Sequence, residues 1–475
     1  MKEGKILLTI SLDTSSKEPL YQQIYRHIRH AIESGDVAPR EKLPSKRRLA
    51  SHLKVSLSTV ETAYAQLKAE GYIETKMKSG CYAAEIQPVE RVRPPLRPKL
   101  LREKTGLSPF LYDFRTDRVD PEAFPFSVWA KLTRKVLSEG GKELLETTYP
   151  KGFYELRETI AEYLRRFRGM DVLPEQIVIG AGWEYLFTLI IQLLGHRCCY
   201  GVENPGYQKV SKILHSLDCP VSYLPVEAEG ISLSALERTS VEVLHVTPSH
   251  HFPLGIVTTA QRRRELLRWA NGGNRYIIED DYDSEFRYEG RPIPALAEMD
   301  HNGRVIYIKT FAKILAPSFR IAYMVLPLTL LEQYEARLLF YACTVSSIEQ
   351  RVLRDFIGDG YLERHLNRSR NLYKKRRDIF IETIKKSALG SKVEIFGEDA
   401  GMHLLLRVQG MTEHELVAKA RRRGISLNGL SRYYIDPAEA LQNTVIAGYA
   451  GWQDQRLRQG VTALIEAWEK GSTEP

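Results

Sequence analysis

At 475 residues the chain is too long for one average domain and points to two to four. Its 43% hydrophobic and 27% charged residues are ordinary for a water-soluble globular protein. No apolar run approaches the ~20 residues that span a bilayer, and Ile6-Leu7-Leu8 is too short for a signal-peptide core, so a cytoplasmic protein is expected. The net charge of +9 is uneven: residues 1–110 hold 20 Lys and Arg against 12 Asp and Glu, whereas the other 365 hold 48 against 47. An excess confined to the first quarter suggests an anionic partner there, with a solvated basic face as the alternative. Five cysteines (Cys81, Cys198, Cys199, Cys219, Cys343) form no C-x-x-C pair, which argues against a disulfide framework and a zinc site. Cys198-Cys199-Tyr200 reads as strand core with inert thiols rather than as a redox switch.

In chain order, Leu20, Ile24, Ile28, Ala31 and Ile32 fall at helical spacing and end at Gly35. A shorter helix starts at Ser45 with Leu49, Ala50 and Leu53 on one face. A third begins near Ser56–Ser58, where Ser58 and Glu61 make a capping-box pattern, and closes at Gly71. Tyr72–Lys76 alternates as a strand, and Lys78-Ser79-Gly80 turns into Cys81-Tyr82-Ala83. The Pro- and Arg-rich stretch 85–111 reads as an extended linker between a first domain, 1–84, and a second, 112–475. The second alternates strands (Gln176–Gly180, Glu242–Val246, Tyr276–Glu279, Val305–Ile308, Ala322–Leu326) with helical stretches. That pattern predicts an α/β domain with a mostly parallel sheet, and the last ~100 residues predict a smaller α+β lobe.

A short helix, a tight turn and a second helix are the geometry that lays a recognition helix into the major groove. Ser45, Lys46, Arg47 and Arg48 place three cations at the start of the second helix, where they meet phosphate together with free amides. Ser56, Ser58 and Thr59 offer small hydroxyls at the start of the third, and Lys76, Lys78 and Gly80 mark a hairpin tip. Leu43-Pro44-Ser45, Arg47, Leu49-Ala50, Ser58-Thr59-Val60, Ala63-Tyr64, Leu67, Glu70-Gly71-Tyr72 and Ser79-Gly80 together resemble the GntR-type winged helix-turn-helix over residues 18–84. The resemblance implies binding to a double-stranded DNA operator through Arg47, Ser58, Thr59 and the wing around Gly80; Leu57 stands where the family often has a polar or basic residue. A helical protein-docking module is the competing reading.

Three clusters of the second domain carry the chemistry of a pyridoxal 5'-phosphate (PLP) site, which needs an amine, a carboxylate for the ring nitrogen, a hydroxyl for the phenolic oxygen and anion donors. Lys313 follows an apolar strand, with Thr310 and Arg320 nearby as phosphate donors. Glu279-Asp280-Asp281-Tyr282-Asp283 ends another; buried carboxylates need a partner, and a pyridinium, a metal ion or solvent each answers that need. Gly180-Ala181-Gly182 stands between a strand and a helix, where amides favour an anion; with Tyr185 in the third glycine's place it is not a dinucleotide fingerprint.

Asp113-Phe114-Arg115, Glu203-Asn204-Pro205-Gly206-Tyr207, Thr247-Pro248-Ser249-His250, Ile278–Tyr288 and Thr310–Arg320 resemble fold-type I aminotransferases, in detail the MocR/GabR branch fused to GntR heads. That resemblance implies a regulator with PLP in aldimine linkage to Lys313, Asp280 on the pyridinium nitrogen, Tyr282 on the phenolic oxygen and Tyr207 stacked on the ring. Phosphate contacts fall to Gly182, Trp183, Thr310 and Arg320; His250 lies near the ring, and Arg432 clamps an effector carboxylate. It further implies a homodimer, of a kind often domain-swapped in that family, that senses PLP or an amine or amino-acid effector in vitamin B6 or amino-acid metabolism. No metal is expected. Lys309, Ala312, His251-Phe252 and Trp183-Glu184 depart from the family pattern at positions expected to line the pocket. The competing function is a working aminotransferase carrying a DNA-binding appendage.

Overall fold

Apolar residues at helical spacing form the first helix, α1 (Leu20–Ser34), of a computed structural model that describes residues 10–77, 79–86, 110–116, 118–289 and 293–469. The chain divides into two units, Met1–Thr105 and Gly106–Pro475; most of the 85–111 linker expectation lies outside the described residues.

In the first unit α1 buries Ile24, Ile28 and Ile32, and Gly35 stops it in the left-handed conformation (φ 81°) that glycine adopts without strain. Next come α2 (Lys46–Leu53) and α3 (Leu57–Ala69), which pack together, with α3 also against α1. Leu49, Val60, Ala63, Tyr64 and Leu67 close the core, and the Tyr64 hydroxyl donates to the Pro44 carbonyl (2.9 Å) to fix the turn into α2. β1 (Ile73–Lys76) and β2 (Gly80–Ala83) form an antiparallel hairpin. The expected cap at Ser58 is corrected. Ser56 is the N-cap, its Oγ accepting from the Thr59 amide (3.1 Å), because Ser58 already lies inside the helix. Glu61, assigned to that box, instead faces Lys46 (3.8 Å).

The strands of the second unit are β3 (Tyr112–Asp113), β4 (Ile177–Gly180), β5 (Tyr200–Asn204), β6 (Val221–Glu227), β7 (Gly230–Ile231), β8 (Val243–Val246), β9 (Tyr276–Asp280), β10 (Val305–Thr310) and β11 (Ala322–Val325). β4 to β11 make one sheet in the order β4-β11-β10-β9-β8-β5-β6-β7. β10, β9, β8, β5 and β6 are mutually parallel. β11 is antiparallel to both β10 and β4, so β4 runs with the parallel set. The carboxyl ends of five strands (Gly180, Asn204, Val246, Asp280, Thr310) therefore share one edge, where ligands of open α/β sheets bind.

Side chains alternate between two covered faces, as a buried parallel sheet requires. Ile177, Ile179, Tyr307 and Tyr323 pack under α4 (Phe126–Glu139) and α5 (Tyr154–Arg168). Val178, Ile306, Ile308 and Met324 pack under α6 (Trp183–Leu194) and α7 (Gln208–Ser216). The C-terminal lobe is a smaller antiparallel sheet of β12 (Val393–Phe396), β13 (His403–Val408), β15 (Asn428–Gly429) and β16 (Thr444–Gly448). A parallel bridge from β14 (Ile425–Ser426) to β3 ties the lobe to the start of the unit.

β5 and β6 lie beside the strands foreseen from sequence, and β5 corrects one expectation. Cys198 and Cys199 precede it, half-buried, because the strand begins only at Tyr200, whose amide bonds the Pro220 carbonyl (2.8 Å). Burial pushes the Cys198 thiol pKa up. Among the described residues no helix is long and apolar enough to cross a membrane.

Candidate cofactor site and DNA-binding head

Each cluster singled out in the second unit reaches the common strand edge by a different route. Asp280 ends β9 and is 6% exposed; its Oδ1 has no hydrogen-bond partner, and Oδ2 lies 3.7 Å from His245 Nε2. Burial pushes its pKa up, with His245 opposing. Such a group is expensive unless a cation or N–H donor meets it, and a protonated heteroaromatic nitrogen is one group that could do so. His245 stands edge-on to Trp183 (centroids 5.7 Å apart) and Phe187 (5.8 Å). Tyr207, 39% exposed, meets Trp183 edge-on at 5.9 Å and Phe252 at 6.1 Å.

The anion corner is built on the start of α6. Gly182 caps that helix with φ 95°, and a Cβ there would strike the Arg320 guanidinium, so glycine is what allows the arginine this close to free helix amides. Arg320 is itself left-handed (φ 50°), between the turn Pro317–Phe319 and β11. Thr310 ends β10, its Oγ1 accepting from the Ala312 amide (3.2 Å). Glu184 bonds Arg320 (2.6 Å) and Lys209 (2.8 Å). Half-burial works against the charged form, but the two cations hold Glu184 at about 2. Lys313, half-buried beyond β10, donates to the Thr116 carbonyl (2.7 Å).

The loop after β9 holds Tyr282, whose hydroxyl is 3.1 Å from His250 Nδ1, and Asp283, whose Oδ2 is 2.9 Å from the same nitrogen. Beneath it Asp281 accepts from Tyr307 (2.5 Å) and faces Arg168 (3.0 Å). Burial raises the Asp281 pKa, but Arg168 and Lys309 hold it well below the usual carboxylate range. Lys309 does not line a pocket as expected; its ammonium bonds Glu285 (2.7 Å) and Ser284 (3.1 Å), because its side chain lies on the Tyr307 face of the alternating strand. His251, also expected in the lining, is 1% exposed, and burial drives it down to about 3.

Arg432 is exposed, with Nη1 3.4 Å from Asn428 Oδ1, and its carbonyl accepts from Gln208, the neighbour of Tyr207. Among the described residues no group of three or more His, Cys, Asp or Glu is placed to hold a metal. Sequence reasoning missed His245, and it named Asp283 and Glu203 within their motifs without giving either a role. The only signal was a polar residue inside or ending an apolar run.

In the first unit Ser45, Lys46, Arg47 and Arg48 are exposed at the start of α2, with Ser45 Oγ accepting from the Arg48 amide (3.3 Å). Ser56 Oγ lies 2.8 Å from Ser58 Oγ and 2.7 Å from Thr59 Oγ1, three hydroxyls gathered at the start of α3. Gly80 opens β2 at φ 119°; Lys78 lies outside the described residues.

Residues 117–461 match the family Aminotransferase class I and II, and residues 20–83 match Bacterial regulatory proteins, gntR family. The chain belongs to both families. It is 39% identical over 97% of its length, and 98% of the relative's, to the uncharacterized HTH-type transcriptional regulator YhdI of Bacillus subtilis. It is 34% identical to the probable rhizopine catabolism regulatory protein MocR of Rhizobium meliloti, covering 96% of this chain and 95% of that one. The multiple substrate aminotransferase of Thermococcus profundus superimposes with a TM-score of 0.68 at 25% identity, over 79% of this chain and 96% of that one. A gntR head on an aminotransferase body, shared end to end with the two regulators, makes the chain a MocR-type HTH transcriptional regulator.

Proposed function

We propose that this MocR-type regulator binds PLP and uses it to read PLP itself or an amine or amino-acid effector, in vitamin B6 or amino-acid metabolism. The observation that carries the reading is the buried Asp280 carboxylate with an unpartnered oxygen at the strand edge. The residues present fit the group. Lys313 would attach it, Asp280 would accept from its ring nitrogen, Tyr282 would donate to its phenolic oxygen and Tyr207 would cover the ring. The Gly182 and Trp183 amides, Thr310 and Arg320 would hold its phosphate, with His250 close by. Bound PLP supplies a carbonyl carbon that condenses with amines.

Arg432, exposed beside the Tyr207 helix, is the effector clamp in this reading. Exposed Phe126, Leu145 and Phe340 are apolar surface that a second copy in a homodimer would cover. The head binds an operator through the cations of α2, the hydroxyls opening α3 and the wing at Gly80, a task for the cytoplasm. An effector changes DNA binding only by favouring one arrangement of the protein over another.

The test is an absorbance spectrum of the purified protein with PLP, before and after borohydride, joined to operator binding with and without candidate amines. A visible band, label on the Lys313 peptide after reduction, and amine-dependent DNA affinity are expected. Steady turnover of amino and keto acids without any change in DNA binding would make the chain an aminotransferase with an appendage. A protein that stays colourless removes the sensor.

A further inference from the structure

His250 is placed where it decides which way the Tyr282 hydroxyl points. Its Nδ1 lies 2.9 Å from Asp283 Oδ2 and 3.1 Å from the Tyr282 oxygen. One ring nitrogen serves both, either as a donor or as an acceptor. Asp283, 3% exposed, is a carboxylate and only accepts, so the Nδ1 proton belongs to it. The Tyr282 oxygen is then at most a second acceptor for that N–H, and its own proton is free for another group. The far nitrogen, Nε2, is buried with no partner, which a bare lone pair tolerates better than a stranded N–H.

Other groups fit this assignment. His403, whose ring centroid is 5.3 Å from that of His250, is driven down to about 3 by burial, so it sets no cation beside that ring. Burial, with the carboxylates of Asp283, Asp280, Glu203 and Asp281 behind it, pushes the Tyr282 pKa well above its usual value, so the hydroxyl keeps its proton. Of those carboxylates Asp283 is the one bound to His250, and His250 occupies the oxygen that would otherwise draw the Tyr282 proton.

We propose that His250 is a positioning residue: by holding Asp283 it leaves the Tyr282 hydroxyl to donate to the phenolic oxygen of bound PLP. The inference rests on the PLP reading above. A donor there favours the anionic oxygen and lowers the pH at which the visible band of bound PLP changes.

The experiment titrates that band with pH in the full-length, PLP-loaded protein and in three variants. Tyr282→Phe raises the midpoint by about one unit, the order expected when a hydrogen bond to a charged oxygen is lost. His250→Phe raises it in the same direction, because Asp283 is bared to Tyr282. His250→Asn, whose amide can still donate to Asp283, stays near the wild-type value. A wild-type midpoint in His250→Phe beside a shifted Tyr282→Phe overturns the proposal and leaves the site intact. An unshifted Tyr282→Phe, or no visible band in any protein, removes the site reading and this inference with it. Independently of any variant folding, histidine-15N NMR of the loaded wild-type protein should find the His250 proton on Nδ1; a proton on Nε2 alone overturns the assignment.

Discussion

Glu184 Oε2 lies 2.6 Å from Arg320 Nη2, and Glu184 Oε1 lies 2.8 Å from Lys209 Nζ. A carboxylate in the first turn of α6 thus holds the arginine that packs on Gly182, at a helix end whose amides favour an anion. Glu184→Gln removes one negative charge and releases both cations. The expected outcome is tighter PLP binding, about 5- to 10-fold at low salt, equivalent to about 1 kcal/mol. Absorbance titration in rising sodium chloride checks it, the gain shrinking as salt screens the half-exposed charges. Weaker binding in the variant would mean that Glu184 aims Arg320 rather than competes for it.

The two functions should separate by unit. Arg47, exposed at the start of α2, is expected to meet operator phosphate. Arg47→Ala then weakens DNA binding, flattens its salt dependence by about one unit of slope and leaves the PLP spectrum unchanged. Lys313→Ala does the reverse, abolishing the borohydride-fixed label while operator affinity stays measurable. Mobility shifts and spectra on both variants decide the matter, and loss of both properties in either one contradicts a separable design.

Glu203 predicts an unusual pH dependence of stability. It is buried at the end of β5, accepting from the Thr247 hydroxyl (2.7 Å) and amide (3.2 Å), and burial pushes it up to about 7. A carboxyl raised on folding binds more protons in the folded than in the unfolded state. It therefore subtracts stability as pH rises from the unfolded value near 4.5 to about 7. Glu203→Gln keeps an acceptor oxygen for the Thr247 amide and offers an N–H to the Thr247 hydroxyl oxygen, without the buried charge. It should raise the melting temperature at pH 8, by an amount equivalent to about 3 kcal/mol at most, and lose the gain towards pH 4.5. His251 and His403 work from the opposite side. Burial holds both at about 3, so their contribution is complete above about 6.5 and is lost as pH falls towards 3. A melting-temperature profile of wild type and Glu203→Gln across pH 4–9 tests both slopes.

Periodicity along the chain carried the strands and helices that surround the strand edge. β4, β8, β9 and β10 are short apolar runs buried on both faces, and such runs read directly as strands. β5 was read only at its first residue, as strand core over Cys198–Tyr200, since Tyr-Gly-Val-Glu-Asn ends in polar residues whose reason is the site and not the sheet. The cap of α3 was misplaced because Ser56, Ser58 and Thr59 are all competent acceptors and only the extended backbone of Ser56 (ψ 148°) selects one. Lys313, Asp280 and Tyr282 were legible as strand-end chemistry. The contacts around them were not, because His250 meets Asp283 across 33 residues and Glu184 meets Arg320 across 136. No local period encodes contacts made by sheet order.

The Lys309 network gives the last prediction. Lys309 is 1% exposed, bonded to Glu285 (2.7 Å) and Ser284 (3.1 Å) and 3.4 Å from Asp281, which also faces Arg168. Removing one member strands opposite charges in a dry interior, at a typical cost of about 3–5 kcal/mol. Lys309→Met should therefore lower the melting temperature of the second unit strongly, by roughly 10 °C for a body of this size. Asp281 lies between Asp280, which ends β9, and Tyr282, so PLP affinity should fall in parallel while operator binding by the first unit should hold. Calorimetry with PLP titration tests this: a variant as stable as wild type would show that the network is relieved by water, and an unchanged PLP affinity would show that Asp280 and Tyr282 do not depend on it.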